Sequence, residues 1–168
     1  PATKQISWPD RLAVSPDGAT LLVPLNLADA AAIVDTRHNT VKTVATGSYP
    51  YGAAILPDGK TGLVSNETPG TVSVIDLAAA KKVKDITVGP HLSHPEAIAV
   101  DPAGTRAYVP LADSDQVAVI DTAKMAVSRM ISVERPEGLG SSPVDVAVTP
   151  DGGRLLVAES GADALAVF

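Results

Sequence analysis

Apolar residues occur in this chain as short runs separated by turn residues, and the same order of runs recurs four times. Each copy predicts four β-strands, because short runs rich in Val, Ile, Leu and Ala between turn signals favour strands over helices. In one copy the first three strands read "EAIAV", "RAYVPL" and "VAVID", and "KVKDITVG" is an example of the fourth. The pattern therefore predicts an all-β protein.

A tight turn separates the first two strands of every copy. Proline presets φ for a type I turn, aspartate accepts hydrogen bonds from nearby backbone, and glycine takes the left-handed position that follows. The turn reads Pro-Asp-Gly in three copies and Pro-Ala-Gly in the other: Pro16–Gly18, Pro57–Gly59, Pro150–Gly152 and Pro102–Gly104.

Other residues repeat in phase with this turn. A second proline lies seven residues before the turn proline, an alanine lies three before it, and an aspartate follows nineteen after it. These columns are Pro9, Pro50, Pro95 and Pro143; Ala13, Ala54, Ala99 and Ala147; and Asp35, Asp76 and Asp121. We interpret the aspartates as structural, because they recur at the same position in the first three copies and can bond the turn after the third strand. All length variation falls in the connections "TGSYP", "VGPHLSHP" and "VERPEGLGSSP".

Four-stranded units that repeat every ~40 to 45 residues are typical of β-propeller blades. The expected division is one propeller unit over residues 1–168, with four blades' worth of strands. Residues 1–8 would be the fourth strand of a preceding blade, 9–49, 50–94 and 95–142 would be blades, and 143–168 would supply three strands. The alanine column suits this fold, because blades approach closely near the propeller axis.

The composition of the chain narrows the classes of molecule that it can bind. The chain is 45% hydrophobic but 3% aromatic, has a formal net charge of −6 and contains no cysteine. The negative charge disfavours nucleic acid and anionic membrane surfaces. No apolar run is long enough to insert into a membrane, and no signal peptide opens the sequence.

The segments "AYVPL", "GLVSN" and "SVIDLAAAKKVKDITVG" resemble the YVTN-family bacterial propeller repeat. The segment from "HPEAIAV" onward is also similar to the propeller part of bacterial fusions with an alkaline-phosphatase-like phosphoesterase. The resemblance implies a periplasmic or secreted protein whose partner is another protein or a fused catalytic domain. It also implies a larger parent ring of about seven blades.

The strand pattern is compatible with two arrangements of the blades. In the first, the chain is an arc of a larger propeller, whose open blade faces favour self-association; two such chains could close an eight-bladed ring. In the alternative, Lys4–Trp8 pairs with Gly161–Phe168 and closes a four-bladed ring. We expect the arc.

Residues beside the second proline of each copy are the candidates for a binding site. The framework columns are uniform, whereas these positions differ in every blade and include three of the five aromatic residues. Aromatic and charged side chains on one loop-bearing rim are typical of ligand or partner binding. The candidates are Trp8, Asp10, Arg11, Tyr49, Tyr51, His94, Glu96 and Asp145.

Catalytic and cofactor motifs are not evident in the sequence. His91, His94 and Glu96 are acceptable metal ligands, but their spacing in a proline-rich loop is a weak signal, so no metal or cofactor is predicted. The leading hypothesis is a non-catalytic propeller scaffold that binds a protein or small-molecule ligand on the rim. The alternative is a lactonase-like hydrolase that uses His91, His94, Glu96, Arg11 and Asp145 on the same face.

Overall fold

The computed structural model describes residues 7–135, 138 and 140–168 of the chain. The predicted pairing of Lys4–Trp8 with Gly161–Phe168 lies partly outside these residues. Helical backbone within the described ranges is confined to two three-residue 3-10 turns, Asn26–Ala28 and Ser160–Ala162, and neither could span a membrane.

The described strands form four antiparallel sheets in chain order, each a meander in which neighbouring strands follow one another in sequence. We number these sheets as blades one to four; the first three have four strands each and the fourth has three. The strands are β1 (Ala13–Val14), β2 (Thr20–Leu25), β3 (Ala30–Asp35), β4 (Thr40–Ala45), β5 (Pro50–Ile55), β6 (Thr61–Asn66), β7 (Thr71–Asp76), β8 (Lys81–Thr87), β9 (Ala99–Val100), β10 (Arg106–Leu111), β11 (Gln116–Asp121), β12 (Ala126–Ser132), β13 (Pro143–Val148), β14 (Leu155–Glu159) and β15 (Ala164–Val167). This architecture confirms the predicted all-β propeller fold.

The tight turns have the predicted geometry. Their third residues, Gly18, Gly59, Gly104 and Gly152, all have φ between 67° and 71°. In blade two, Asp58 Oδ1 accepts hydrogen bonds from the N–H groups of Lys60 and Thr61 at 2.8 and 3.0 Å. Burial raises the pKa of Asp58, but these two bonds and the hydrogen bond from the Thr61 hydroxyl outweigh it and leave the pKa below its usual value.

The recurring aspartates at the end of the third strand are structural, as predicted. Asp35 Oδ1 accepts hydrogen bonds from the N–H groups of Arg37 and His38 at 2.9 and 3.0 Å. The equivalent oxygen of Asp121 accepts one from Lys124 N–H at 3.0 Å. Each carboxylate therefore closes the turn between the third and fourth strands of its own blade.

Hydrophobic packing occurs between successive blades. Leu22, Ala31 and Ile33 of blade one pack against Val64, Ile75 and Leu77 of blade two. Blade two then contributes Leu63, Val72 and Val74 to a core with Val109, Ala118 and Ile120 of blade three. Blade three contributes Tyr108, Val117 and Val119 to a core with Val146, Leu155 and Val157 of blade four. Each inner sheet is thus buried on both faces.

The outer faces of blades one and four remain open in the described residues. Leu12 and Val14 of blade one are exposed, and so are Leu165 and Val167 of blade four. Packing cores join blades one to two, two to three and three to four. The described strands therefore form an arc, and the pairing of Lys4–Trp8 with Gly161–Phe168 that would close a four-bladed ring lies partly outside the described residues.

A serine recurs where the chain enters each new blade, and its partner differs between blades. Ser141 donates its hydroxyl proton to Asp115 Oδ1 at 2.9 Å, and the same oxygen accepts Ser141 N–H and Ser142 N–H. The equivalent of Asp115 in blade two is Gly70, where a Cβ atom would collide with the Pro90 carbonyl oxygen. The hydroxyl of Ser93 is consequently buried with no hydrogen-bond partner among the described residues.

We expect Ser141→Ala and Ser93→Ala to affect stability differently. Ser141→Ala removes a hydrogen bond to a carboxylate and should lower the free energy of unfolding by about 1 to 3 kcal/mol. Ser93→Ala removes a buried hydroxyl that has no protein partner and should leave stability unchanged or raise it. Urea unfolding of both variants measures the difference, and equal losses would contradict this account of Ser93.

Candidate functional site

One backbone conformation repeats at the entry to every blade. The residue before the second proline has a left-handed φ in all four blades: 42° at Trp8, 53° at Tyr49, 47° at His94 and 45° at Ser142. Its carbonyl oxygen accepts a hydrogen bond from the residue that follows the second strand, for example Glu67 N–H to Tyr49 O at 3.0 Å. A left-handed conformation costs a non-glycine residue about 1 to 2 kcal/mol. All four blades share this conformation, so we assign it to the geometry of the blade. It places the residues that follow on the axial end of the arc. We call this end of the arc the rim.

Arg11 crosses the rim from blade one to blade four. Its guanidinium Nη1 donates a hydrogen bond to Asp145 Oδ2 at 2.6 Å, and this interaction raises the pKa of Arg11. The guanidinium carbon also lies 5.8 Å from the centre of the Tyr51 ring, a cation–π distance. Both partners of the ion pair are nearly half exposed, so the pair contributes little stability but fixes three predicted rim residues beside one another.

Glu96 is the most perturbed acid of the rim. Burial raises its pKa to about 7, and the negative charge of Glu67 adds to this effect, whereas Arg11 opposes it. Burial also raises the pKa of Glu67, against the influence of His94. The charge of Asp10 raises the pKa of both glutamates. A carboxyl group that titrates near neutrality can donate or accept a proton, which is useful for binding and for acid–base chemistry.

Backbone contacts hold Glu96 in this position. Its N–H donates to Pro110 O at 3.0 Å, and its carbonyl oxygen accepts the hydroxyl proton of the fully buried Ser65 at 2.6 Å. Ser65 also accepts Gly52 N–H at 2.8 Å. A Cβ atom on Gly52 would collide with the Glu96 carbonyl oxygen, so this close approach of blades two and three requires glycine there.

His94 lies beside Asp113, with 3.3 Å between Nδ1 and Oδ2. The weak metal candidates His91, His94 and Glu96 do not come together, since no three His, Asp or Glu side chains in the described ranges are arranged to hold a metal ion. His91 is exposed in the loop before Leu92. The structure therefore places His94 and Glu96 in the rim and leaves His91 outside it.

The two remaining aromatic candidates lie at the edge of the rim. Trp8 and Tyr49 are exposed, and their described contacts are made by the backbone. Sequence reasoning missed Glu67 and did not assign Asp113 to the rim. The sequence could have identified both, because Glu67 directly follows the second strand of blade two and Asp113 lies close to the end of the second strand of blade three. The backbone of this segment bonds to the residue before the second proline of each copy.

Concave surfaces occur at both ends of the arc. At the rim end, a cavity of about 170 Å³ lies between the first strands and is lined by Arg11, Leu12, Gly52, Ala53, Ala97, Ile98 and Asp145. A larger groove of about 990 Å³ separates the tight turns of blades two and three at the other end. Its acids, Asp58 and Asp121, already accept turn hydrogen bonds. The candidate site is therefore the rim, where carboxylates from different blades meet.

Comparison with known proteins supports the fold. No family model matches the chain. It is 30% identical over 134 residues to Protein NirF of Stutzerimonas stutzeri; the match covers 77% of this chain and 34% of NirF. Among solved structures it resembles Kuenenia stuttgartiensis hydrazine synthase, with a TM-score of 0.82 and 31% identity over 92% of this chain and 42% of that chain. The chain spans about a third of the length of the curated relative and less than half of the structural one. Together with the observed sheets, these similarities show that it has a β-propeller fold.

The raised pKa of Glu96 predicts a pH-dependent stability. The folded protein binds this proton up to about pH 7, whereas an unfolded glutamate loses it near pH 4.3. The folded state therefore binds more protons across this window, so stability should fall as pH rises from about 4.3 to 7 and level off above it.

Glu96→Gln should reduce this pH-dependent loss, leaving the smaller part that comes from Glu67. Glu134→Gln, at an exposed glutamate in the third connection, serves as the control. Unfolding free energies between pH 4.5 and 8 measure both slopes. An unchanged slope in Glu96→Gln would show that burial does not perturb this carboxyl.

Proposed function

We propose that this chain is a non-catalytic β-propeller scaffold that binds a ligand or protein partner on its rim. The observation that carries the proposal is the meeting of Arg11, Tyr51 and Asp145 from three blades, two of which, Arg11 and Asp145, also line one cavity. Elsewhere the repeat columns are nearly uniform, so blade-specific polar residues concentrated at one end are best explained by recognition.

The charge of the rim indicates the kind of ligand. Its carboxylates are Asp10, Glu67, Glu96, Asp113 and Asp145. Its cation is Arg11, which is already paired with Asp145, and His94 lies beside Asp113. Such a surface favours a cationic group or a strong hydrogen-bond donor, and the Tyr51 ring offers it an aromatic face. Polyanions such as nucleic acid are repelled.

The proposal extends to the cellular location and the partners of the chain. The repeat resembles the YVTN type, and we propose that the chain acts outside the cytoplasm, periplasmic or secreted, with a protein partner or a catalytic domain on the same polypeptide. The absence of cysteine is compatible with an oxidising compartment. The similarity to NirF and to hydrazine synthase supports a bacterial propeller of this general kind.

Alanine variants of the rim test the binding role. Tyr51→Ala removes the ring next to Arg11, and His94→Ala removes the partner of Asp113. We expect both to lose proteins that the immobilised wild-type chain captures from a periplasmic extract, while circular dichroism shows that they remain folded. Arg129→Ala, in the groove at the opposite end, is the matched control and should capture normally. Equal capture by all variants would rule out this rim as the contact surface.

The titration of Glu96 favours one alternative, a hydrolase that uses this carboxyl as its acid or base. A pKa of about 7 suits a general base at neutral pH. Hydrolysis of a simple aliphatic lactone, measured together with the metal content of the purified protein, separates the two functions. We expect no turnover above the buffer rate and less than one metal ion per chain. Turnover that is lost in Glu96→Gln, or one tightly bound metal per chain, would favour the enzyme.

A further inference from the structure

Three large apolar side chains are exposed in the loops that connect the described strands. They are Leu27, Tyr49 and Leu92, with exposed fractions of 49%, 47% and 52%. All three lie at the rim end of the arc, whereas the loops at the tight-turn end expose no large apolar side chain among the described residues. Each lies at a junction between two described blades, so its exposure does not depend on where the sequence begins or ends.

Backbone contacts place these three residues in consecutive segments of the rim. The loop that holds Leu27 bonds to the next blade through Asp29, whose Oδ1 accepts Tyr49 N–H at 3.1 Å. Leu92 N–H donates to Thr68 O at 2.7 Å, and Thr68 directly follows the residue whose N–H bonds to Tyr49 O. The exposed side chains therefore follow one another from blade one to blade three.

The backbone of Leu92 is strained in a way that the blade framework does not require. Its φ of 64° lies in the left-handed region, which is unfavourable for a leucine. The equivalent residues of the first and third connections are Gly47 and Gly140, and Gly47 does not adopt a left-handed φ. Strain that the fold does not impose is found preferentially at binding and active sites. Leu92 is both strained and exposed, which points to a role in recognition.

The size of the rim cavity favours a protein over a small molecule as the ligand. The cavity has a volume of about 170 Å³, whereas sites that enclose small ligands typically have about 300 to 1,000 Å³. A ligand at the rim must therefore make most of its contacts with side chains that project from the surface. Exposed apolar side chains grouped at one end of a molecule and bordered by polar ones are typical of protein interaction surfaces.

The charge beside these apolar residues indicates the chemistry of the partner. Glu96 lies close enough to Asp10, Glu67 and Asp113 for the charge of each to raise its pKa. Glu67 itself lies in the segment between the exposed tyrosine and the exposed leucine. A positive side chain placed among these carboxylates would reduce their mutual repulsion. Charge complementarity therefore favours a partner that combines a cation with apolar side chains.

We propose that Leu27, Tyr49 and Leu92, together with the rim carboxylates, dock a segment of a separate protein that presents a lysine or arginine between apolar side chains. The apolar side chains of the segment pack on the three exposed residues, which we call the apolar rim surface, and its cation lies among the carboxylates. This inference rests on the proposed binding role of the rim and specifies the partner of that surface.

Selection from a phage-displayed library of random short peptides tests the chemistry of the partner, with the immobilised 168-residue chain as bait. We expect the selected peptides to carry a lysine or arginine flanked by apolar residues. In a synthetic copy of a selected peptide, glutamate in place of the cation should weaken binding by about tenfold or more in fluorescence anisotropy. Binding should also weaken as the salt concentration rises. Selected peptides without a cation, or no enrichment over an unrelated bait, would overturn the inference.

Variants of the apolar rim surface test its location. Glycine adopts a left-handed φ freely, so Leu92→Gly should change the urea unfolding of the chain little, yet it should bind a selected peptide about tenfold more weakly. Tyr49→Ser should weaken binding as well. Val83→Ser is the matched control, because Val83 is 62% exposed but lies on β8, the outer strand of blade two. It should bind the peptide as the wild type does.

The same variants distinguish a failure of this inference from a failure of the proposed function. Binding that is lost in Tyr51→Ala but unchanged in Leu92→Gly and Tyr49→Ser would keep the rim as a binding site and overturn the apolar rim surface. Binding that survives all three changes would contradict both. A doubled mass of the wild-type chain in light scattering that Leu92→Gly abolishes would show that a second copy occupies the surface, which would overturn the separate partner.

Discussion

Face-to-face packing of successive blades is the interaction on which the rest of this structure depends. A four-stranded sheet of this length cannot bury its own faces, so each blade is stabilised by its neighbours. Blades two and three approach so closely at one point that the side chain there must be absent or small. Gly52 passes within contact of the Glu96 carbonyl oxygen, and Ala97 beside it is buried. The glycine at position 52 follows from this close approach.

The same convergence explains why a site can form at the rim. The first strands of all blades meet around the axis, so residues far apart in sequence become neighbours. Arg11 and Asp145 are 134 positions apart and form a 2.6 Å hydrogen bond. Glu67 and Glu96 belong to successive blades, and the charge of Glu67 helps to raise the pKa of Glu96. Each blade contributes only a few polar side chains, but together these side chains form a polar surface that no single repeat contains.

The repeats made the framework of the blades predictable from the sequence, but most of the geometry of the site could not be predicted in this way. The turn glycines, the structural aspartates and the strand order each follow from a local pattern that recurs in every copy. The left-handed conformation at Trp8, Tyr49, His94 and Ser142 does not, because none of these residues is the glycine that would signal it. The rim residues were identified because they break the repeat. The Arg11–Asp145 pair, the position of Glu67 and the failure of His91 to join His94 and Glu96 depend on distances between blades, which no local pattern encodes.

The geometry of the rim depends on the curvature of the arc. Arg11 belongs to blade one and Asp145 to blade four, so the distance between their side chains depends on every interface between these blades. A ligand that competes for Arg11 or Asp145 would relax that distance. Because linkage is reciprocal, any restraint that fixes the curvature must change the affinity of such a ligand by the same factor by which the ligand changes the restraint.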